Sequence, residues 1–383
     1  MVMGELSQET ELLVIGGGPG GYAAAFRAAD LGMDVTLVEI SEKPGGVCLF
    51  RGCIPSKAYL HLAELIHDAA HAGAMGLKFG SPEIDLENVR NYKNRVVEKL
   101  ADGLVSLGKS RGVQRIRGRA AFENSKTVRI FDSDVSHIKF RQAILSTGSH
   151  PTPFPGVPFK KGGRIMNSTG ALALAEVPKS LLVIGGGYVG LELGSVYAAL
   201  GSRVSVVELG DRLLPGIDAD LVEPLKRRLE KLFASIMLNT KVKGLEESLD
   251  RVKVTFEGDV DPAEQEFDRV LVAIGRRANT ANIGVENTSV EVDDRGFVKV
   301  NERQQTTGEN IYAVGDVVGG MMLAHKASYE GKIAAEVIAG EPSAFDARAI
   351  PAVVYTDPQV AYCGLTEEEA HQQGKKIEVN RFP

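Results

Sequence analysis

The sequence has few cysteines, no long apolar run and no strong excess of charge. Only three of its 383 residues are cysteine, which excludes a small scaffold held together by disulfides. No apolar run reaches the roughly 18 residues that a membrane-spanning helix needs. Lys and Arg number 44 against 50 Asp and Glu, so the charge does not indicate nucleic acid or an anionic membrane as a partner. The N-terminus has no signal or transit pattern, and we expect a cytoplasmic protein.

An internal repeat organises the chain. Residues 12–18 recur letter for letter as residues 181–187. A helical pattern of small residues follows each copy, and then a second apolar run that leads to an acid, Glu39 or Glu208. This order of strand, glycine-rich turn, helix and strand predicts an α/β protein with two Rossmann-like dinucleotide-binding domains.

Each copy also carries a Gly-x-Gly-x-x-Gly pattern. Glycines at these positions allow a tight turn and a close approach of backbone N–H groups to a pyrophosphate. One such pattern alone is weak, but two in the right setting predict two nucleotide sites. The glycines are Gly16, Gly18 and Gly21 in the first copy, and Gly185, Gly187 and Gly190 in the second.

The two strand-end acids are candidate ligands of an adenosine ribose. A carboxylate at Glu208 would also repel a 2′-phosphate, which favours NAD over NADP. The alternative for each acid is an ordinary exposed carboxylate at the end of a strand.

A cysteine pair, Cys48 and Cys53, carries the redox chemistry that the sequence suggests. In a regular helix, residues five apart are separated by about 7.5 Å along the axis and about 140° around it. A disulfide needs its Cβ atoms roughly 3.5–4.5 Å apart, so the backbone must depart from a helix between them, which Gly52 and Pro55 allow. The pair predicts a redox disulfide, with two buried thiols as the alternative. No second cysteine pair completes a zinc site, and we predict no metal.

Lys57 follows Cys53 by four residues and would lie on the same side of a helix. A cation there favours a thiolate. Glu192, two residues after Gly190, is a candidate ion-pair partner, although a solvated lysine is the ordinary alternative.

Together these motifs resemble the flavin-dependent pyridine-nucleotide disulfide reductases, and among them the dihydrolipoyl dehydrogenase group. The resemblance covers nearly the whole chain, and its most specific element is Gly-Gly-x-Cys-x4-Cys-Ile-Pro-Ser-Lys at residues 45–57. Glutathione reductases typically carry Val-Pro-Lys-Lys after the second cysteine. Mercuric reductases favour Val at the position of Ile54 and add a terminal cysteine pair.

The resemblance implies FAD at the first repeat and NAD at the second. It implies that dihydrolipoamide exchanges with Cys48, that Cys53 contacts the flavin, and that Lys57 and Glu192 assist catalysis. The residues that would hold FAD are Gly16, Gly18, Gly21, Glu39, Lys57, Ala120, Thr147, Gly148, Ser149, Asp316 and Ala324. Those that would hold NAD are Gly185, Gly187, Tyr188, Gly190, Glu208, Val242 and Gly275, with Tyr188 shielding the flavin.

The implied domain organisation is an FAD domain split around an NAD domain, plus the start of an α+β interface domain. Residues 1–150 and 279–347 would form the FAD domain, 151–278 the NAD domain, and 348–383 the start of the dimerisation domain. The implied partners are a second copy of the chain and lipoyl domains that bear dihydrolipoamide. Such lipoyl domains belong to 2-oxo acid dehydrogenase complexes or to the glycine cleavage system.

The chain departs from the family pattern at two places. Phe50 stands where an Asn is usual, which predicts the loss of a loop hydrogen bond. The resemblance implies that the active-site base is a His in a His-Pro motif of the interface domain, and no histidine within residues 348–383 lies in such a motif. Because the sequence stops at Pro383, we expect most of that domain to be missing and dihydrolipoamide turnover by these residues to be poor.

Three other functions stay open from the sequence. The chain could be another disulfide or mercuric reductase of the same superfamily. It could be a non-catalytic assembly partner in a 2-oxo acid dehydrogenase complex. It could also be a thiol-independent NADH oxidase or diaphorase.

Overall fold

Helices and parallel strands alternate along much of the chain in the computed structural model, which describes residues 7–382. The helices are α1 (Pro19–Asp30), α2 (Gly46–Arg51), α3 (Cys53–His71), α4 (Leu86–Ser110), α5 (Ser168–Ala173), α6 (Tyr188–Ala199), α7 (Ala219–Leu232), α8 (Ala324–Ile338) and α9 (Glu367–Gln372). Short 3-10 turns cover Ala72–Met75, Val285–Asn287 and Gly315–Val318.

The strands are shorter than most of the helices. They are β1 (Ser7–Ile15), β2 (Val35–Glu39), β3 (Gln114–Arg117), β4 (Arg119–Asn124), β5 (Thr127–Phe131), β6 (His137–Leu145), β7 (Ser149–Pro151), β8 (Ile165–Met166), β9 (Ser180–Ile184), β10 (Arg203–Val207), β11 (Ser235–Met237), β12 (Lys241–Glu247), β13 (Val252–Glu257), β14 (Glu264–Phe267), β15 (Arg269–Val272), β16 (Arg276–Ala278), β17 (Ile311–Ala313), β18 (Ala352–Val354) and β19 (Val360–Tyr362).

The described residues divide into two units. Unit 1 contains the described part of Met1–Ile54, together with Arg95–His150 and Arg276–Ala347. Unit 2 contains Pro55–Asn94, Pro151–Gly275 and the described part of Arg348–Pro383. Helix α3 therefore begins in unit 1 and continues in unit 2.

Unit 1 is built on a sheet in the order β3-β2-β1-β6-β5-β4, with β17 paired to β6. β1 runs parallel to β2 and β6, and β17 runs parallel to β6. Because successive side chains of a strand face opposite sides, β1 contributes to two apolar layers. Leu12 and Val14 pack with α1 and α8, whereas Leu13 and Ile15 pack with a separate cluster on the other face.

Small residues allow α1 and α8 to approach closely. A Cβ atom on Gly331 of α8 would lie 2.2 Å from the carbonyl oxygen of Gly20 in α1. Pro19 begins α1, where its missing N–H costs no intrahelical hydrogen bond. This close packing covers one face of the sheet beside the first glycine turn.

Unit 2 repeats the arrangement with a parallel sheet in the order β11-β10-β9-β15-β8. Leu181 and Val183 of β9 pack in a core cluster with α6 and α7, and Leu182 packs in a second cluster with the antiparallel strands β12 to β14. The last strands, β18 and β19, form an antiparallel pair.

The predicted α/β class with two Rossmann-like units is confirmed. β1, α1 and β2 in unit 1 correspond in order and pairing to β9, α6 and β10 in unit 2, and each helix has 12 residues. Among residues 7–382, no helix combines the length and apolar character needed to cross a bilayer.

Candidate functional site

The first glycine of each repeat is fixed by a positive φ and by crowding. Gly16 has φ +101°, and a Cβ atom there would lie 2.3 Å from the carbonyl oxygen of Ser146. Gly185 has φ +111°, and its Cβ would lie 2.5 Å from the carbonyl oxygen of Ala273. An L side chain is excluded at both places, so both turns need glycine.

The third glycine of each repeat lets the helix pack against its own turn. A Cβ atom on Gly21 would lie 1.8 Å from the carbonyl oxygen of Gly16, and one on Gly190 would lie 2.3 Å from that of Gly185. The middle glycines, Gly18 and Gly187, are N-cap residues without a side-chain hydrogen bond to the helix. The first backbone N–H groups of α1 and α6 are thus suited to a phosphate.

The strand-end acids make the same two hydrogen bonds in both units. Glu39 accepts from the N–H of Gly17 at 2.6 Å and from that of Ser41 at 2.8 Å, using one oxygen for each.

Glu208 repeats this pattern with Gly186 at 2.6 Å and Gly210 at 2.8 Å. A carboxylate has about four acceptor positions, so each acid keeps acceptor capacity for two more donors, such as ribose hydroxyls.

The cysteine segment interrupts its helix between the two sulfurs. Cys48 lies in α2, Cys53 begins α3, and Gly52 between them has φ −151° and ψ −110°. Both cysteines are partly buried. The helix is therefore interrupted at Gly52, one of the two residues at which the sequence predicted the interruption.

Two glycines attach the cysteine segment to the first glycine turn. The N–H of Gly45 donates to the carbonyl oxygen of Gly17 at 2.7 Å. Gly46 has φ +60°, and a Cβ atom there would lie 2.5 Å from the Cα of Gly18. The structure thus brings the thiols and the first predicted nucleotide turn together within unit 1.

Phe50 anchors the same segment by packing. It is partly buried with Leu49 and Ile54 in an apolar cluster that includes Val97 and Ala101 of α4. At the position where the resemblance expected an Asn, this chain thus has a Phe that packs against α4.

Tyr22 lies near the thiols and was missed by the sequence reasoning. Burial raises the pKa of its hydroxyl, and negative charge on Cys48 and Cys53 raises this pKa further. A tyrosine directly after the third glycine of the repeat is the signal that could have indicated it.

A polar network lies at the carboxyl ends of β6 and β17. Ser149 donates a short hydrogen bond to Asp316, and Arg276 donates to the Ser149 hydroxyl at 2.7 Å. The Thr147 hydroxyl donates to the backbone carbonyl of Asn279, and the Asn279 side-chain amide donates to the backbone carbonyl of Thr147, both at 2.8 Å. The structure thus brings the predicted Thr147, Ser149 and Asp316 together and adds Arg276 and Asn279.

The other predicted flavin-site residues of unit 1 lie on other elements of that unit. Gly148 has φ +70°, and a Cβ atom there would meet no heavy atom of the described residues within 4 Å apart from its chain neighbours; Ala120 is buried in β4, and Ala324 begins α8.

Unit 2 contains the predicted pair of Lys57 and Glu192. The Lys57 ammonium lies 2.7 and 2.9 Å from the two carboxylate oxygens of Glu192, whose side chain is 5% exposed. Tyr355 adds two contacts that the sequence reasoning missed. Its N–H donates to Glu192 at 3.0 Å, and its ring centre lies 4.4 Å from the Lys57 ammonium. A cation on an aromatic face is attracted by the ring quadrupole.

The remaining predicted NAD residues lie around the second glycine turn or on strands of unit 2. Tyr188 begins α6 and is 42% exposed. Val242 is buried in β12, and Gly275 follows β15 with φ +124°.

Comparison with known proteins assigns the family. Residues 10–331 match the pyridine nucleotide-disulphide oxidoreductase model. The chain belongs to this family. Residues 350–383 match its dimerisation domain.

Relatives and solved structures agree with this assignment. A dihydrolipoyl dehydrogenase of Haemophilus influenzae is 47% identical over 98% of this chain and 78% of its own length. One from Geobacillus stearothermophilus is 45% identical over 100% of this chain and 81% of its own. An HOCl-induced flavoprotein disulfide reductase from Escherichia coli matches with a TM-score of 0.83 at 29% identity, covering 96% of this chain and 80% of that one.

Membership of the pyridine nucleotide-disulphide oxidoreductases implies FAD and NAD(H) as cofactors. The chain fits two dinucleotides, because each glycine turn has positions that a Cβ atom would fill and an acid with spare acceptor capacity. The predicted class of enzyme, an NAD-dependent flavoprotein oxidoreductase, is thereby confirmed.

Proposed function

We propose that the protein oxidises dihydrolipoamide to lipoamide and passes the electrons through FAD to NAD+. The observation that carries this proposal is the attachment of the cysteine segment to the first glycine turn through Gly45 and Gly46. The relatives that match nearly the whole chain at 45–47% identity are dihydrolipoyl dehydrogenases, which supports the choice of substrate.

We assign FAD to the first repeat and NAD to the second. The thiols must exchange electrons with the flavin, and only the first repeat carries the cysteine segment. FAD would then be held by the turn at residues 16–21, by Glu39, and by the network around Asp316. The turn at residues 185–190 and Glu208 would hold NAD. Residues 1–150 and 279–347 would thus form the FAD domain, and 151–278 the NAD domain.

Cys48 and Cys53 would carry the sulfur chemistry. One thiolate of dihydrolipoamide attacks Cys48 in the oxidised pair, forms a mixed disulfide and displaces the Cys53 thiolate. The second substrate thiolate then attacks the first substrate sulfur, releases lipoamide and leaves two reduced cysteines. When bound, FAD and NAD+ would supply the two-electron acceptor that the reduced pair needs. Cys48 and Cys53 would return to their disulfide by losing two electrons and two protons, one of which ends on NADH and the other in solution.

Lys57 would favour the anionic sulfur of Cys53. The two residues are four apart at the start of α3, on the same side of the helix. Glu192 and the Tyr355 ring contact the Lys57 ammonium and restrict the motion of this flexible side chain. The cation lowers the free energy of a nearby thiolate.

A substrate panel tests the reaction. With NAD+ we expect oxidation of dihydrolipoamide to exceed oxidation of glutathione by at least about 100-fold in kcat/KM. NADH-dependent reduction of glutathione disulfide or Hg2+ should be at background. A higher rate with either of these acceptors than with lipoamide would contradict the proposal and favour another reductase of the superfamily.

Coenzyme choice tests the assignment of Glu208. We expect the protein to prefer NADH to NADPH, and Glu208→Gln to narrow that preference about tenfold because it removes the repulsion of a 2′-phosphate. The measurement is the ratio of kcat/KM for flavin reduction by the two coenzymes. Glu39→Gln is the matched control, because it makes the equivalent change to the same hydrogen bonds in the other unit. An unchanged ratio in Glu208→Gln would refute the assignment.

The dimerisation-domain match supports a homodimer. The lipoyl domains of 2-oxo acid dehydrogenase complexes or of the glycine cleavage system would present the substrate, and the cytoplasm is the compartment that fits this role.

A further inference from the structure

Helix α8 contains a buried ion pair that the proposed reaction does not use. Lys326 and Glu330 lie four residues apart, their charged atoms are 2.6 Å apart, and their side chains are 8% and 5% exposed. Taking two charges out of water is costly, and such a pair is often no more stabilising than apolar residues of similar size. The other contacts of the two side chains indicate a role beyond stability.

Each member of the pair also binds one end of the same backbone turn. Glu330 accepts a hydrogen bond from the N–H of Gly315 at 2.8 Å. The Lys326 ammonium donates to the carbonyl oxygen of Gly319 at 3.1 Å. Gly315 begins the 3-10 turn Gly315–Val318 and Gly319 is its C-cap, so the pair holds the turn at both ends.

The turn lies directly against α8. Gly315 has φ +81°, and a Cβ atom there would lie 3.1 Å from the Cβ of Ala327. Gly319 also has a positive φ, of +79°. A turn with glycine at both ends has more conformational freedom than a turn with other residues at these positions. Contacts with the rest of the protein must therefore select one conformation.

Asp316 stands between the two fixed ends. Its carboxylate accepts the short hydrogen bond from Ser149 and lies 4.0 Å from Arg276. Burial raises the pKa of Glu330, while Lys326 acts in the opposite direction and favours the charged carboxylate that the turn's N–H binds.

We propose that Lys326 and Glu330 are positioning residues for FAD, which clamp the 315–319 turn and so fix the direction of the Asp316 carboxylate. This inference rests on the proposed assignment of Asp316 to the FAD site. It explains why two charges are retained in a buried helix: each supplies a hydrogen bond that an apolar side chain cannot supply.

The test is FAD affinity of the apoprotein, measured by titration of flavin fluorescence, together with thermal unfolding of the apoprotein. Lys326→Met/Glu330→Met removes both charges and leaves neither unpaired, which offsets the loss of the two backbone hydrogen bonds, so we expect an apoprotein that folds with a stability close to the original. Its Kd for FAD should rise at least about tenfold, because the Gly315 N–H and the Gly319 carbonyl lose their partners. A purely structural pair would change the unfolding temperature without this selective loss of affinity.

Arg27→Met/Glu336→Met is the matched control. It removes another ion pair that involves α8, with a 2.7 Å contact, and neither residue bonds to the 315–319 turn in the described contacts. We expect its Kd for FAD to change less than about twofold. Equal Kd changes in the two double variants would overturn the clamp.

Asp316→Asn separates the clamp from the site assignment on which it rests. Weakened FAD binding in Asp316→Asn with an unchanged Kd in the double methionine variant would overturn the clamp alone. An unchanged Kd in Asp316→Asn would overturn the assignment of Asp316 itself. Should the methionine variant fail to fold, Glu330→Gln serves instead. We expect faster hydrogen exchange at the Gly315 amide and a Kd raised about threefold. An unchanged exchange rate at the Gly315 amide together with an unchanged Kd for FAD would overturn the proposal.

Discussion

Cys48→Ser should abolish reduction of the flavin by dihydrolipoamide, with a fall in rate of at least about 1,000-fold. A serine hydroxyl cannot form the mixed disulfide, so the first bond of the reaction is never made. Flavin content and flavin reduction by NADH should stay near the original values, because neither needs this sulfur. The measurement is loss of the flavin absorption band under anaerobic conditions. A pH of about 9 ionises part of the substrate thiol in solution and removes the need for a base.

Cys363→Ser is the control for that experiment. Cys363 is the third cysteine, and it is exposed. We expect the rate of flavin reduction by dihydrolipoamide to be unchanged in this variant. Rapid flavin reduction by dihydrolipoamide in Cys48→Ser would overturn the assignment of Cys48 as the residue that meets substrate, and would favour a thiol-independent oxidase.

Gly21→Ala should destabilise unit 1 and release its flavin. The added Cβ atom would lie 1.8 Å from the backbone carbonyl oxygen of Gly16, a contact that only a shift of α1 or of the turn relieves. We expect a loss of about 3 kcal/mol or more in the free energy of unfolding. Denaturant unfolding and the ratio of bound FAD to protein measure the two effects.

Gly103→Ala is the matched control, because it makes the same change in a helix of the same unit. Among residues 7–382, no heavy atom outside its chain neighbours and its own helix backbone lies within 4 Å of a Cβ atom at Gly103. Alanine favours a helix more than glycine does, so we expect this variant to gain up to about 1 kcal/mol and to keep its FAD. Similar stabilities in the two variants would show that the turn adapts and that the glycine is not required.

The repeated parts of the molecule could be predicted from the sequence because their signals are local. The strand, the glycine turn, the helix and the terminal acid lie within about 30 residues of one another, the size of one βαβ unit. The ion pair of Lys57 and Glu192 is different, since 135 residues separate its members. Its place two residues after Gly190 made Glu192 a candidate, but no local pattern joins it to Lys57.

The contacts that escaped prediction join elements distant in the sequence. At Phe50 the sequence predicted only the loss of a hydrogen bond. Its packing partners on α4 lie more than 40 positions away, so the residues around Phe50 do not indicate this contact. Tyr355 meets Glu192 through a backbone N–H, which any residue but proline could supply. Lys326 and Glu330 have the spacing of an ordinary exposed helix pair, and only the structure shows that both are buried.

The two backbone hydrogen bonds of Glu208 limit how the coenzyme specificity of this protein can be changed. Because Glu208 accepts hydrogen bonds from the N–H groups of Gly186 and Gly210, it fixes the shape of its loop in addition to its proposed role at the ribose. Replacing it with a basic residue would reverse the charge and at the same time leave two backbone N–H groups without their acceptor. A change of coenzyme preference from NAD to NADP therefore requires redesign of this loop. New hydrogen-bond acceptors for the N–H groups of residues 186 and 210 must be built before a basic residue is introduced.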